Sequence, residues 1–304
     1  MIYTCTMNTA VDLFVETDEL LPDVVNRTKD EDYQPNGKGV NISFMLKRLG
    51  LDNTALGFTG GFTGRFIENE LLNEKIVTDF VEVEGISRIN IFINSTREFK
   101  IVNKGPLISE ARKQELINKI RQIPPGRFLF ISGSLPRGVP DDMYLSLSEI
   151  AAENKLKLIL DISSPVLLDC LSYHPYLIKP NEQELAAFFS RKKALSEEEI
   201  IHCGKELLDR GAERVLISRG KDGALYLDRQ KTLKATAAKG KVVNTACAGD
   251  AMLAVFVGKQ ELGCSVPEAL RHASAAGSLT AFSKGLGDVS KLDQTASQIQ
   301  ITHL

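Results

Sequence analysis

RFLFISGS, residues 127–134, is a short apolar run closed by glycine and serine. LKLILD (156–161), YLIKPN (176–181) and RVLISRG (214–220) repeat the arrangement. Apolar runs this short, bounded by Gly, Pro or polar residues, read as buried parallel strands, here 127–132, 156–160, 176–178 and 214–218. Helical patterns lie between them. Ser196 with Glu199 makes a capping box ahead of Ile200, Cys203, Leu207 and Leu208 on one face, and Leu116, Ile117, Ile120 and Ile123 form a similar stripe. Helices over roughly 248–261 and 265–282 complete the pattern. It predicts an α/β layered fold with a mostly parallel central sheet.

Each strand runs at its C-terminal end into Gly or polar residues. IYTCT (2–6) leads to Asn8, the run before Thr59 to Gly60 and Gly61, 127–132 to Gly133 and Ser134, 156–160 to Asp161, 176–178 to Lys179, and 214–218 to Arg219 and Gly220. Every strand must end in a turn, but Asp, Lys and Asn recur here, and open α/β sheets bind ligands at the carboxyl ends of their strands. Two segments break the βαβ rhythm. Residues 11–34 and 88–102 read as antiparallel strands, the second with a turn near Asn94-Ser95-Thr96. They form either a small lid sheet or an extension of the main sheet's edge.

The 304 residues are 25% charged and 43% hydrophobic with a net charge of −2, a globular composition without the basic excess of a nucleic-acid binder. No repeat or linker divides the chain, so residues 1–304 read as one α/β domain. The five cysteines (Cys5, Cys170, Cys203, Cys247 and Cys264) have no zinc or redox spacing and read as free thiols in a reducing compartment. With no signal-peptide pattern and no long apolar run, a cytoplasmic location and no membrane partner are expected. The four histidines have no metal spacing, and neither G-x-S-x-G nor a P-loop is present.

Four segments can carry chemistry. In Asn36-Gly37-Lys38-Gly39-Val40-Asn41, glycines ahead of a helical pattern let backbone amides approach a ligand, Lys38 adds a charge and Asn41 can bond a hydroxyl. The same residues also suit a plain tight turn. In Asn244-Thr245-Ala246-Cys247-Ala248-Gly249-Asp250, the amides around 247–250 can form an anion hole, and Asp250 beside it can take a proton. An Asp that merely stabilises the helix start fits that segment equally well. Asn181 and Glu184 lie three apart after Lys179-Pro180, a spacing that suits either a Mg²⁺ held partly through water or a capping box. Ser218-Arg219-Gly220-Lys221-Asp222-Gly223 reads as a hairpin or as backbone along which a nucleotide lies.

The order and spacing of these segments resemble the ribokinase-like (PfkB-type) carbohydrate kinases, in particular the hexose-phosphate branch of 1-phosphofructokinases and tagatose-6-phosphate kinases. The resemblance rests on Asn8 to Asp12, NGKGVN (36–41), GFTGGFTG (57–64), Arg88-Ile89-Asn90, Gly105-Pro106, SGSLPRGVP (132–140), IKPNEQEL (178–185), ISRGKDGA (217–224) and ACAGDAM (246–252), and so spans almost the whole chain. It implies a three-layer sandwich with a small β-sheet lid that doubles as a homodimer interface. It implies ATP and Mg²⁺, Asp250 as catalytic base, and the amides of Cys247, Ala248 and Gly249 as anion hole. Asp12, Gly37, Lys38, Asn41 and Ser134 would bind the sugar. Lys179, Asn181 and Glu184 would serve ATP, Glu184 reaching Mg²⁺ through water, and Ser218, Gly220 and Gly223 would form the nucleotide loop.

Arg88 resembles the arginine that holds the substrate's existing phosphate in that branch, a task suited to a guanidinium, with Lys38, Arg27 and Lys104 as helpers. The expected acceptor is a phosphorylated ketohexose, fructose 1-phosphate ahead of tagatose 6-phosphate. An unphosphorylated sugar or a regulatory sugar-phosphate binder are the alternatives. Four positions depart from the family pattern: Thr9 for Pro, Asn36 for the first Gly of a Gly-Gly pair, Cys247 for the first Gly of Gly-Ala-Gly-Asp, and Ala251 for Ser. If position 247 needs positive φ, its side chain costs about 1 kcal/mol or more.

Overall fold

The structure is a computed structural model, and it describes residues 1–191 and 193–304. The first part of the chain runs β1 (Ile2–Thr6), β2 (Ala10–Glu16), β3 (Asp30–Asn36), α1 (Lys38–Arg48), β4 (Asn53–Thr59), α2 (Gly61–Asn73), β5 (Val77–Thr78), β6 (Val81–Glu82), β7 (Arg88–Asn94) and β8 (Glu98–Ile101). It continues with α3 (Glu110–Arg121), β9 (Phe128–Ser132), α4 (Asp142–Glu153), β10 (Lys157–Asp161), α5 (Leu167–Cys170), β11 (Leu177–Ile178), α6 (Glu182–Phe188) and α7 (Glu197–Asp209). The remainder is β12 (Val215–Ser218), β13 (Ala224–Leu227), β14 (Thr232–Ala235), α8 (Ala248–Glu261), α9 (Val266–Ala281), α10 (Leu292–Ala296) and β15 (Ile301–His303). No helix among the described residues is long and apolar enough to cross a membrane.

The large sheet has the order β15-β14-β13-β12-β11-β10-β9-β1-β4-β5, with β6 also on β4. Pairing is parallel from β5 to β12 and antiparallel across β13, β14 and β15. Alternation along the strands sends side chains to two cores. Leu129 and Ile131 of β9 pack with Leu116 of α3, Leu147 of α4 and Leu207 of α7, whereas Phe128 and Phe130 pack with Ile42 of α1, Leu253 of α8 and Leu270 of α9. The result is the expected three layers. From β1 the chain builds outward through β4 on one side and later through β9 and β10 on the other. The switch point therefore lies between β1 and β9, where an open sheet forms its ligand crevice.

The two segments that break the rhythm form a separate four-stranded sheet, β3-β2-β7-β8, and not an extension of the main one. Each segment is an antiparallel hairpin, as the alternation predicts. The hairpins join, however, through a parallel pairing of β2 with β7, from Ala10 opposite Arg88 to Glu16 opposite Asn94. The intervening α1, β4 and α2 return the chain to its starting end, so β7 enters alongside β2 in the same direction. Phe14 and Phe92 stack across this seam with ring centroids 5.0 Å apart.

Candidate active site

The carboxyl ends of the central strands and the start of α8 enclose a cleft of about 940 Å³, lined by Lys38, Lys179, Asn181, Ser218, Gly220 and the loop Cys247 to Asp250. These residues come from four separate stretches of sequence, and the sheet topology brings them together.

At the base of the cleft stands a buried charge cluster. Asp161, at the end of β10, is 0% exposed. Its Oδ1 accepts from Lys38 Nζ at 2.9 Å and lies 3.2 Å from Lys179 Nζ, and its Oδ2 has no partner. Burial alone would raise this carboxyl, but the ammoniums of Lys179 and Lys38 outweigh it and hold Asp161 below the usual carboxylate range. Burial likewise opposes the charge on Lys38, yet Asp161, Asp250 and Glu184 together raise its pKa. Asp250, in the first turn of α8, is pushed up to about 6 by burial and then by the Asp161 charge. Its Oδ2 accepts from Asn41 Nδ2 at 2.8 Å.

The loop before α8 is left open. Its N-cap, Cys247, is left-handed at φ 62° and makes no side-chain cap. Ala251 N–H is the first to close an intrahelical bond, onto Cys247 O at 2.9 Å. The amides ahead of it are therefore free donors at the positive end of a 14-residue helix. Gly249 keeps the loop close to charge: a Cβ there would stand 3.2 Å from Lys179 Nζ.

A second polar group lies towards the lid. Asp12 on β2 accepts from Asn90 Nδ2 at 2.8 Å and from Asn36 Nδ2. Burial raises the Asp12 carboxyl, and the amides of Asn90 and Asn36 and the Arg88 charge counter it. Asn36 Oδ1 in turn accepts from Gly37 N–H and from Asn41 Nδ2 at 3.0 Å. Arg88, at the start of β7, donates to Asn103 O at 3.3 Å and keeps a buried Nε without partner. Ser134 is exposed and meets Asn8 Nδ2 at 3.4 Å, and Asn8 also donates to the Lys104 carbonyl.

Other predicted residues differ. Asn181 and Glu184 form a complete capping box on α6, with Glu184 N–H to Asn181 Oδ1 at 2.8 Å and Asn181 N–H to Glu184 Oε2 at 2.9 Å. Ser163 donates to the remaining Oε1 at 2.6 Å. Gly223 does not line the cleft; it turns β12 into β13 at φ 83°, where a Cβ would stand 2.0 Å from Ala235 O. Arg27 is exposed in the loop between β2 and β3, and only its carbonyl is engaged, by Thr17 Oγ1. Sequence reasoning passed over Asp161 as a site residue and gave Asn36, named within its segment, no role of its own. The signal for Asp161 was a lone carboxylate directly after an apolar strand. Elsewhere on the cleft wall the half-buried Glu197 binds both Arg219 and Lys234.

The layers and the separate lid define the class: a ribokinase-like α/β fold. The chain belongs to the pfkB family of carbohydrate kinases, whose profile matches residues 4–293. It is 36% identical to 1-phosphofructokinase of Bacillus subtilis over 304 residues, all of both chains. It is 39% identical to D-tagatose-1-phosphate kinase of Klebsiella oxytoca over 305 residues, again all of both. Phosphofructokinase-2 of Escherichia coli in complex with fructose-6-phosphate superposes with a TM-score of 0.88 at 27% identity, covering 97% of this chain and 98% of that one.

Proposed function

We propose that this kinase transfers the γ-phosphoryl group of ATP to a hydroxyl of a phosphorylated ketohexose, with fructose 1-phosphate as acceptor and fructose 1,6-bisphosphate as product. The observation that carries the reading is Asp250, a buried carboxylate that Asn41 orients, in the same cleft as two lysines and a row of free helix-start amides. Asp250 takes the proton of the acceptor hydroxyl as its oxygen bonds to the γ-phosphorus, and the bond to the β–γ bridging oxygen breaks to release ADP. The amides of Cys247, Ala248 and Gly249, with Lys38 and Lys179, balance the charge on the transferring group. The nucleotide lies along Ser218 and Gly220.

The donor set fits Mg²⁺ held by phosphate oxygens and water, not by a protein cage. Both Glu184 oxygens are engaged, and no group of three or more His, Cys, Asp or Glu among the described residues could hold a metal ion. Glu184 would reach it through water. When bound, Mg²⁺ neutralises charge on the phosphate oxygens.

The name of the Bacillus relative supports fructose 1-phosphate as the acceptor, and the partnerless Nε of Arg88 supports a second anion. D-tagatose 1-phosphate is the second reading, favoured by the 39% identical Klebsiella relative. Exposed Tyr33, Phe99, Ile101 and Val102 on and beside the lid strands support a homodimer through that sheet. Five free cysteines accord with a cytoplasmic setting.

The test is ADP release with MgATP over fructose 1-phosphate, tagatose 1-phosphate, tagatose 6-phosphate, fructose 6-phosphate and fructose. Turnover is expected on a ketohexose phosphate and should fall by ~10²–10⁴ in Asp250→Asn. Because the base must be ionised, kcat/KM should decline as pH falls through about 6. Near-normal turnover in Asp250→Asn would remove that residue as the base. Unchanged KM for the sugar phosphate in Arg88→Ala would remove Arg88 as the phosphate ligand.

A further inference from the structure

Asn36 and Cys247, 211 residues apart in sequence, meet in the cleft, with Asn36 Nδ2 3.8 Å from Cys247 Sγ. Neither is an isolated contact. Asn36 spends its amide on four groups: Asp12, the thiol, Gly37 N–H and Asn41. The thiol lies 3.1 Å from Asn41 Nδ2, the same nitrogen that donates to Asp250. The two side chains therefore stand between the carboxylate on the lid strand β2 and the carboxylate at the start of α8. Cys247 does this from a left-handed backbone at φ 62°, ψ −4°, a conformation that favours glycine. Strain of that kind persists where the side chain's contacts repay it. Glycine at both positions would leave open the space between Asp12 and Asp250 and free one oxygen of Asp12.

We propose that Asn36 and Cys247 act as one selectivity element for the acceptor sugar, discriminating between ketohexose phosphates that differ in the configuration of a single hydroxyl. This rests on the kinase reading above. With Oδ1 of Asp12 held by Asn90 and Oδ2 by Asn36, about half of its acceptor sites are already taken, which restricts where a sugar hydroxyl can bond. The thiol takes up the room that the other epimer's hydroxyl would need. A hydroxyl wrongly placed against such a wall leaves buried polar groups unpaired, which is a strong basis for rejection.

The experiment is kcat/KM on fructose 1-phosphate and on its epimer tagatose 1-phosphate for the wild type, Asn36→Gly, Cys247→Gly and the double variant, with Cys247→Ser as the conservative control. The wild type should prefer one epimer by at least ~10-fold. Either glycine variant should bring the ratio towards one, and the double variant should go little further, because the two side chains act as a unit. Cys247→Ser should keep the ratio within about 3-fold of the wild type. A purely structural role would lower both acceptors by one factor and leave the ratio unchanged, which overturns the proposal, as does a wild type that does not discriminate. If Asn36→Gly fails to fold, Cys247→Gly, which relieves the left-handed position, carries the test alone. A wild type silent on every sugar phosphate would instead remove the kinase reading itself, and the proposal with it.

Discussion

Helices α6 and α8 begin at the same cleft, and their first turns are finished differently. On α6, Asn181 and Glu184 satisfy each other's backbone N–H groups, and Ser163 occupies the last carboxylate oxygen. On α8 the N-cap is a cysteine with no capping bond, and the amides ahead of Ala251 are left free. A helix end without partners inside a protein is costly unless something else supplies them. The closed start stabilises the fold and presents a finished surface. The open one gives up that stabilisation and keeps its donors for an anion. Between the two lies Asp161, which ties Lys179, just before α6, to Lys38, the first residue of α1.

The largest effect should come from breaking that tie. Asp161→Asn leaves two ammoniums facing a neutral amide in a site where the carboxylate is fully buried. Removing one partner from a buried ionic cluster costs ~3–5 kcal/mol, because the remaining charge is uncompensated. Chemical denaturation of the variant should lose about that much. A loss below about 1 kcal/mol would mean that water already screens the cluster, and the contrast between a dry floor and an open helix start would fail.

Next in size is the closed helix start. Asn181→Ala removes the acceptor for Glu184 N–H. Loss of such a cap costs about 1 kcal/mol, or about 2 °C in Tm for a chain of this size. An unchanged melting temperature would mean that α6 is held by its packing alone, and that the capping box serves the ligand instead.

These elements were not equally legible in the sequence. The strands at 128–132 and 157–161 follow from short apolar runs, and the box at Asn181 and Glu184 from a three-residue spacing, because each is a local pattern. The lid hairpins were legible for the same reason. The parallel seam between β2 and β7 was not, since alternation sets which face a residue takes but not which distant strand it pairs with. Asp161 was visible only as a carboxylate after a strand, its partner Lys38 lying 123 residues away. The contact between Asn36 and Cys247 was likewise hidden, although both had stood out as side chains in place of glycines.

The smallest effect concerns the open start, and there the sign carries the information. Three contributions meet at Cys247. Its left-handed backbone costs ~1–2 kcal/mol, glycine would restore ~0.5–1 kcal/mol of entropy to the unfolded chain, and the thiol's contacts with Asn36 and Asn41 are lost in either truncation. Cys247→Gly should therefore sit close to the wild type, the relief of strain offset by the other two. Cys247→Ala keeps the strain and loses the contacts, so it should be the less stable of the pair by about 1 kcal/mol, again about 2 °C. Paired melting curves decide it. An alanine variant as stable as the glycine one would mean that residue 247 is not held left-handed. The first turn of α8 would then relax into an ordinary cap, and its free amides would no longer be set aside for an anion.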